Sequence, residues 1–295
     1  MGYMKIPNLY KDKRVLDFRR VYASEKIHGT SAAVKWDGRT ITLHSGGEKH
    51  DRFSALFDLD ELAEKFAARF GERPARVHGE SYGGKMQRMS TTYGVNVCFT
   101  AFEVCVGESW LDPDAARCVA VDLGFEFVPM WLVEAPTVEE MVARLDELRD
   151  QPSVIAGWRG IEGEKVSEGI VIRPPYEVRL NNGGRIIAKH KSASFSETRS
   201  PRKVLGDNGM LTKARAIADE WVTEMRLDHV LDKLKAGGKA IDITCTGDVV
   251  RAMVADVVAE SKDEIADSRE ARSAIGRAAA SMYKNRLNRD GVANG

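Results

Sequence analysis

The sequence predicts an α+β domain with antiparallel sheets over residues 1–203, followed by a small all-α domain over residues 204–295. Two observations predict it. Up to about residue 195, short alternating or β-branched runs mix with a few helical stretches. At Ser200-Pro201-Arg202-Lys203 the composition changes, and beyond it Ala, Glu, Asp, Lys and Arg recur with helical periodicity.

In chain order, Ala32 to Trp36, Asp37-Gly38, then Thr40 to His44 reads as a hairpin, Asp-Gly supplying the positive φ angles of a tight turn. Leu59, Leu62, Phe66 and Phe70 recur at helical spacing, predicting a helix over 58–70 that Gly71 stops. Asp112-Pro113 caps a second helix, which ends at Gly124. Thr137 and Glu140 form a capping box for a third, carrying Met141, Leu145 and Leu148 inward. Strands are expected at 76–80, 96–105, 168–173 and 185–191. The last domain divides into helices at about 210–235, 247–264 and 268–287, with Gly237-Gly238 after the first and Thr246 as a cap for the second.

A chain of 295 residues is long enough to bury a real core. No apolar run reaches the length of a membrane span, and the first residues, Met1-Gly2-Tyr3-Met4-Lys5-Ile6, lack an apolar signal region. No membrane association and a cytoplasmic location are therefore expected. Cys98, Cys105, Cys118 and Cys245 form no Cys-x-x-Cys pair, so buried thiols are expected in place of a zinc site or disulfide framework. The formal net charge is zero, which argues against a protein coated in positive charge but leaves room for a local basic groove. Lys11-Asp12-Lys13-Arg14 with Arg19-Arg20 is one candidate, and Lys189, Lys191, Arg199, Arg202 and Lys203, opposed by Glu197, form another.

Chemistry concentrates in a few short runs. Glu25-Lys26-Ile27-His28-Gly29-Thr30 reads as a lysine at a strand end before a glycine turn. Enzymes use a lysine nucleophile when a covalent nitrogen bond to an electrophile is wanted, and depress its pKa with nearby cations or burial. His78-Gly79-Glu80-Ser81-Tyr82-Gly83-Gly84 puts a carboxylate before a glycine-rich loop, where it can accept from a ribose; a solvated glutamate on a turn would read the same way. Phe102, in an alternating run, can stack on a purine or simply fill the core. Glu168-Gly169 leads into the strand Ile170-Val171-Ile172-Arg173, so its carboxylate sits at a strand mouth and can hold a hydrated magnesium ion. Lys189 and Lys191 lie two apart, on one face of a strand, and suit a bound phosphate as well as a solvated edge.

The order of these runs is more telling than any one of them. Lysine, ribose carboxylate, aromatic, metal carboxylate and paired lysines follow one another within the first 191 residues. This order resembles the covalent nucleotidyltransferase superfamily of polynucleotide ligases and messenger-RNA capping enzymes. DNA ligases and capping enzymes typically carry Lys-x-Asp-Gly; here His28 stands in place of the aspartate, and Glu-Lys-Ile-His-Gly-Thr resembles the ATP-dependent, double-strand-sealing RNA ligase 2 family of phages, bacteria and trypanosome editing complexes. Lys191-Ser192-Ala193-Ser194-Phe195-Ser196-Glu197 is similar to that family's tail after the paired lysines. The helical carboxyl-terminal segment is similar in composition to its second domain, where DNA ligases and capping enzymes carry an OB-fold barrel.

The resemblance implies a nucleotidyltransferase (adenylation) domain and an RNA ligase using ATP as AMP donor with Mg2+, or Mn2+ in its place. Lys26 would form a lysyl-adenylate, pass AMP to an RNA 5′-phosphate, and let a 3′-hydroxyl displace it, the expected RNA being a nicked duplex and the setting a bacterial or phage-infected cell. By the same resemblance Glu25 would contact the adenine, Glu80 the ribose, and Phe102 would stack on the base. Glu168 would serve the metal. Lys189 and Lys191 would hold the α-phosphate and help depress the Lys26 pKa. His28 would act near the phosphates and Gly29 would permit the turn. One departure stands out. The family has an arginine ahead of a Thr-Gly or Gly-Gly turn, whereas this chain reads His44-Ser45-Gly46-Gly47-Glu48-Lys49, leaving Lys49 or Arg52 to substitute in holding the 3′-hydroxyl end. A DNA ligase, an RNA guanylyltransferase and a non-catalytic RNA-binding module on the same scaffold are the rival readings.

Overall fold

The computed structural model describes residues 3–290 apart from 197, 201, 207 and 263. The chain divides into two compact units, the first ending at Ser192 and the second beginning at Ala193. The sequence groups residues 193–203 with the first domain. In the structure, Arg199 N donates to Glu220 O (2.9 Å), Ser200 N to Glu220 Oε1 (2.9 Å) and Arg202 Nε to Glu264 Oε2 (2.8 Å), all within the second unit. Glu197 and Pro201, part of the tail and boundary motifs, lie outside the described residues.

The first unit holds two antiparallel sheets. In chain order its strands are β1 (Arg20–Lys26), β2 (Thr30–Trp36), β3 (Ile41–Ser45), β4 (Ala75–Gly83), β5 (Val97–Val106), β6 (Ser109–Trp110), β7 (Met130–Glu134), β8 (Gly169–Arg173) and β9 (Ala188–Lys191). One sheet runs β7-β1-β8-β9 and the other β3-β2-β4-β5-β6. Its helices are α1 (His50–Ser54), α2 (Leu59–Phe70), α3 (Ser90–Tyr93), α4 (Pro113–Asp122), α5 (Val138–Arg149) and α6 (Val154–Trp158).

Alternation sorts the second sheet into two faces. Val34, Val77, Ala101 and Val104 face a core shared with Phe66 of α2 and Ala116, Val119 and Ala120 of α4. The other face carries His78, Glu80 and Glu103, the polar side of the same strands. The caps explain the long helices. Asp58 accepts from Asp60 N and Glu61 N, both at 3.1 Å, and Thr137 Oγ1 accepts from Glu140 N at 3.2 Å. Asp112 does not cap α4; its carboxylate accepts from Glu177 N at 2.6 Å, and Pro113 alone begins the helix. In the β2–β3 hairpin only Gly38 takes a positive φ (103°), while Asp37 accepts from Arg39 N and Thr40 N.

The second unit comprises α7 (Ala214–Trp221), α8 (Glu224–Ala236), α9 (Thr246–Glu260) and α10 (Arg269–Arg289), with no strand among its described residues. Trp221, Leu227, Val249, Met253, Ile275 and Tyr283 fill its own core. The single helix expected over 210–235 breaks at Val222-Thr223, because Thr223 Oγ1 caps α8 through Arg226 N. Thr246 is the first residue of α9, its hydroxyl donating to Ile243 O, and not a cap. Two of the thiols expected to be buried are not: Cys118 is exposed and Cys98 half-buried.

Candidate active site

Lys26 ends β1, and the register fixes what lies beside it. Lys26 pairs with Gly169 and Gly169 with Lys191; two residues along, Ser24 pairs with Val171 and Val171 with Lys189. Paired residues on antiparallel strands point the same way, so Lys26, Lys189 and Lys191 share one face of the sheet. Lys189 is buried, and its backbone is held on both sides, N to Pro7 O and O to Leu9 N, each at 2.8 Å. His190, between them, points to the opposite face and meets Asp146 of α5 at 2.7 Å.

Glu168 is the hub. Its backbone N donates to Lys26 O (3.2 Å), and its O accepts from Ser192 N (3.0 Å), which pins it between β1 and β9. Its carboxylate is 2.7 Å from Lys26 Nζ, 3.0 Å from His28 Nδ1 and 2.9 Å from Lys191 Nζ. Burial alone would raise its pKa, but Lys191, Lys26 and His28 together hold it well below the usual carboxylate range. Gly169 makes this packing possible. Its φ is +139°, and a Cβ there would lie 2.2 Å from His190 O.

Glu80 faces the same space from β4. Its Oε1 accepts from Gly29 N at 3.1 Å. Burial pushes its carboxyl up to about 8; Lys26 opposes the rise and Glu168 adds to it. Gly29 is required by close approach and not by handedness: a Cβ would lie 2.2 Å from Ser81 O. Phe102 is the extra residue of a β-bulge, where the β4–β5 pairing steps from Gly79–Ala101 to His78–Glu103. A bulge re-aims a side chain, and here it puts Phe102 on the face of Glu80. Arg173 Nη2 donates to the Phe102 carbonyl at 3.1 Å.

Glu25, expected to contact the adenine, has its side chain held within the fold. It points away from Lys26, and its carboxylate accepts from Ser153 Oγ (2.5 Å), Val154 N (2.9 Å) and Ile155 N (3.3 Å) at the start of α6. Burial raises its pKa, and those donors offset part of the rise. Its carboxylate anchors β1 to a helix. Lys49 and Arg52, the candidates to replace the missing arginine, are exposed around the start of α1 and have no side-chain partner among the described residues.

One buried cluster has almost no signature in the sequence. Glu103 accepts from Arg185 Nη2 (2.7 Å) and Nη1 (2.8 Å), from Arg173, and from Tyr3 Oη (2.5 Å). Burial would raise the Glu103 pKa, but Arg173 and Arg185 hold it below the usual range. It joins both sheets to the amino-terminal segment directly behind Phe102. The one sequence signal was a glutamate in an apolar run, whose partners lie 70 or more residues away.

The geometry thus gathers a lysine capped by a carboxylate, two further lysines on its face, a second carboxylate and an aromatic within one unit. The chain belongs to the RNA ligase family, whose model matches residues 19–191. Among solved structures it is similar to Naegleria gruberi RNA ligase: a lysine-to-methionine mutant with AMP and Mn, at 14% identity and a TM-score of 0.50, covering 66% of this chain and 57% of that one. A lysine-to-alanine mutant with ATP and Mn gives the same values. An aspartate-to-alanine mutant without ligand is 15% identical, with a TM-score of 0.50 and coverage of 66% and 56%. At these identities the likeness is one of fold, and the chain spans a little over half the length of those proteins. No curated protein matches it.

Proposed function

We propose that this chain is an ATP-dependent RNA ligase that joins 3′-hydroxyl and 5′-phosphate ends through a lysyl-AMP. The observation that carries the reading is the convergence of Lys26, His28 and Lys191 on one buried carboxylate, with Lys189 on the same face. Three basic groups gathered around one anion make a site shaped for phosphate.

In the first step Lys26 Nζ attacks the α-phosphorus of ATP; the N–P bond forms as the P–O bond to pyrophosphate breaks. The attacking amine needs its lone pair, so Lys26 attacks as the free amine, its proton passing to solvent as it leaves Glu168 for the phosphate. Lys189 and Lys191 lie where charge develops on the α-phosphate and neutralise it. Glu80 accepts from the ribose, and Phe102 stacks on the base. The donor set fits a hydrated divalent ion: Mg2+ keeps its waters and needs one or two carboxylates plus phosphates, and no cluster of three acidic, histidine or cysteine ligands lies among the described residues. Glu168 would hold Mg2+ or Mn2+, which would supply charge neutralisation at the phosphates. AMP then passes to an RNA 5′-phosphate, forming a diphosphate bridge, and the 3′-hydroxyl displaces it. A nicked duplex is the substrate that the double-strand-sealing resemblance favours.

The test is labelling followed by sealing. Radiolabelled ATP with magnesium should label the wild-type chain but not Lys26→Ala, and nicked RNA should be sealed in preference to nicked DNA. Labelling by GTP in place of ATP would move the protein to the guanylyltransferases. RNA binding without any label would make it a binding module.

A further inference from the structure

His78 is a buried ionisable group on the site-facing side of β4 that the proposed chemistry leaves unused. It is 4% exposed, and neither ring nitrogen has a hydrogen-bond partner among the described residues. Leaving a buried polar atom unmet is costly, so such atoms in a folded protein normally have a partner, whether protein, water or ligand. Burial lowers the His78 pKa to about 4, against the pull of Glu103, so at neutral pH the ring has one donor and one acceptor to satisfy.

Its position indicates the partner. His78 and Glu80 are two residues apart on one strand and share a face, which puts them about 6.6 Å apart along β4. His78 pairs across to Glu103, next to the bulged Phe102. The Tyr3 ring touches both aromatic neighbours, with centroids 4.9 Å from Phe102 and 5.4 Å from His78. Trp110 covers the imidazole from another side at 5.1 Å and is itself stacked by the Arg185 guanidinium at 4.2 Å. The imidazole is thus walled by rings and beside the aromatic assigned to the base, beyond the carboxylate assigned to the ribose.

We propose that His78 ends the nucleobase pocket, its ring nitrogens hydrogen-bonding the edge of the purine stacked on Phe102, directly or through one bound water. The inference rests on the nucleotide reading above and adds a base-reading residue to it. A purine edge offers both an amino donor and ring-nitrogen acceptors, which matches a neutral imidazole. The contact forms on binding and persists through reaction, so it acts on affinity and not on the chemical step.

The test follows lysyl-AMP formation by wild type, His78→Phe and His78→Gln, with ATP and with analogues lacking the 6-amino group or one ring nitrogen. His78→Phe should raise the KM for ATP about 3- to 10-fold with kcat unchanged, as expected for one lost hydrogen bond of about 1 kcal/mol. His78→Gln should recover part of it. In the Phe variant, at least one analogue should lose the handicap it shows with wild type. Thermal midpoints of all three proteins show whether the fold is intact. An unchanged KM in a folded His78→Phe protein, or handicaps that simply add, overturns the proposal and leaves a structural water as the partner. If wild type itself takes no label, the nucleotide reading fails and this inference falls with it.

Discussion

At Glu168 a single carboxylate balances three basic side chains, and the consequences can be measured. Removing one partner of a buried ion pair leaves uncompensated charge, which costs about 3–5 kcal/mol. Glu168→Gln should therefore lower stability in a denaturant melt by that order, and added pyrophosphate, an anion for the same cations, should restore part of it. A loss below about 1 kcal/mol, the range of exposed pairs, would mean that solvent already screens the cluster. Glu80 predicts the opposite pH sign. Its folded-state pKa lies near 8, above the ordinary 4.5, so the folded state holds a proton that the unfolded chain releases in that window. Its contribution to stability is complete below pH 4.5 and is lost as pH rises through 8. Glu80→Gln should flatten that fall; an unchanged slope would place the titration elsewhere. Lys26, His28, Glu168 and Lys191 were legible in the sequence because each sits in a short run with its own punctuation. Glu25 and Glu103 were not. Glu25 lies next to Lys26, but strand alternation turns it to the opposite face, and its α6 partners lie 128 or more residues away.

At the scale of elements, the long helices and most strands were legible because periodicity and capping act locally. Asp58 and Thr137 each cap the helix they precede. The short helices α1, α3 and α6 were not legible, since four or five residues carry too little period. The bulge at Phe102 was also hidden, being a matter of register between two strands. Gly169 shows how one element serves the site. With φ at +139° and the His190 carbonyl at 2.2 Å from any Cβ, Gly169→Ala forces β8 from β9 and moves Glu168 away from Lys191. The expected cost is about 3 kcal/mol of stability together with loss of lysyl-AMP formation. An alanine variant with native melting and normal labelling would show that the β8–β9 edge yields more easily than its packing implies.

For the molecule as a whole, zero net charge means that the RNA binding proposed for it would come from local basic surface, not from a general field. Lys49 and Arg52 are exposed, and under the proposed function they would meet the RNA and not the nucleotide. Replacing both with alanine should leave labelling by ATP intact while slowing nick sealing about 10-fold or more, the size expected from losing contacts of about 1.4 kcal/mol or greater in total. Equal losses in both steps would return these residues to the nucleotide site. The two-unit organisation was legible from composition, whereas the position of the break was not: residues 193–203 read as a tail of the sheet domain, yet their hydrogen bonds to Glu220 and Glu264 tie them to the helices.

In the proposed reaction Lys26 becomes covalently bonded to AMP. Intact-mass measurement after incubation with ATP and magnesium, followed by peptide mapping under conditions that preserve the phosphoramide bond, tests it most directly. The expected result is a gain of one AMP per chain, mapped to Lys26, absent in Lys26→Ala and reversed by pyrophosphate. An unmodified wild-type chain, or an adduct on any other residue, would contradict it.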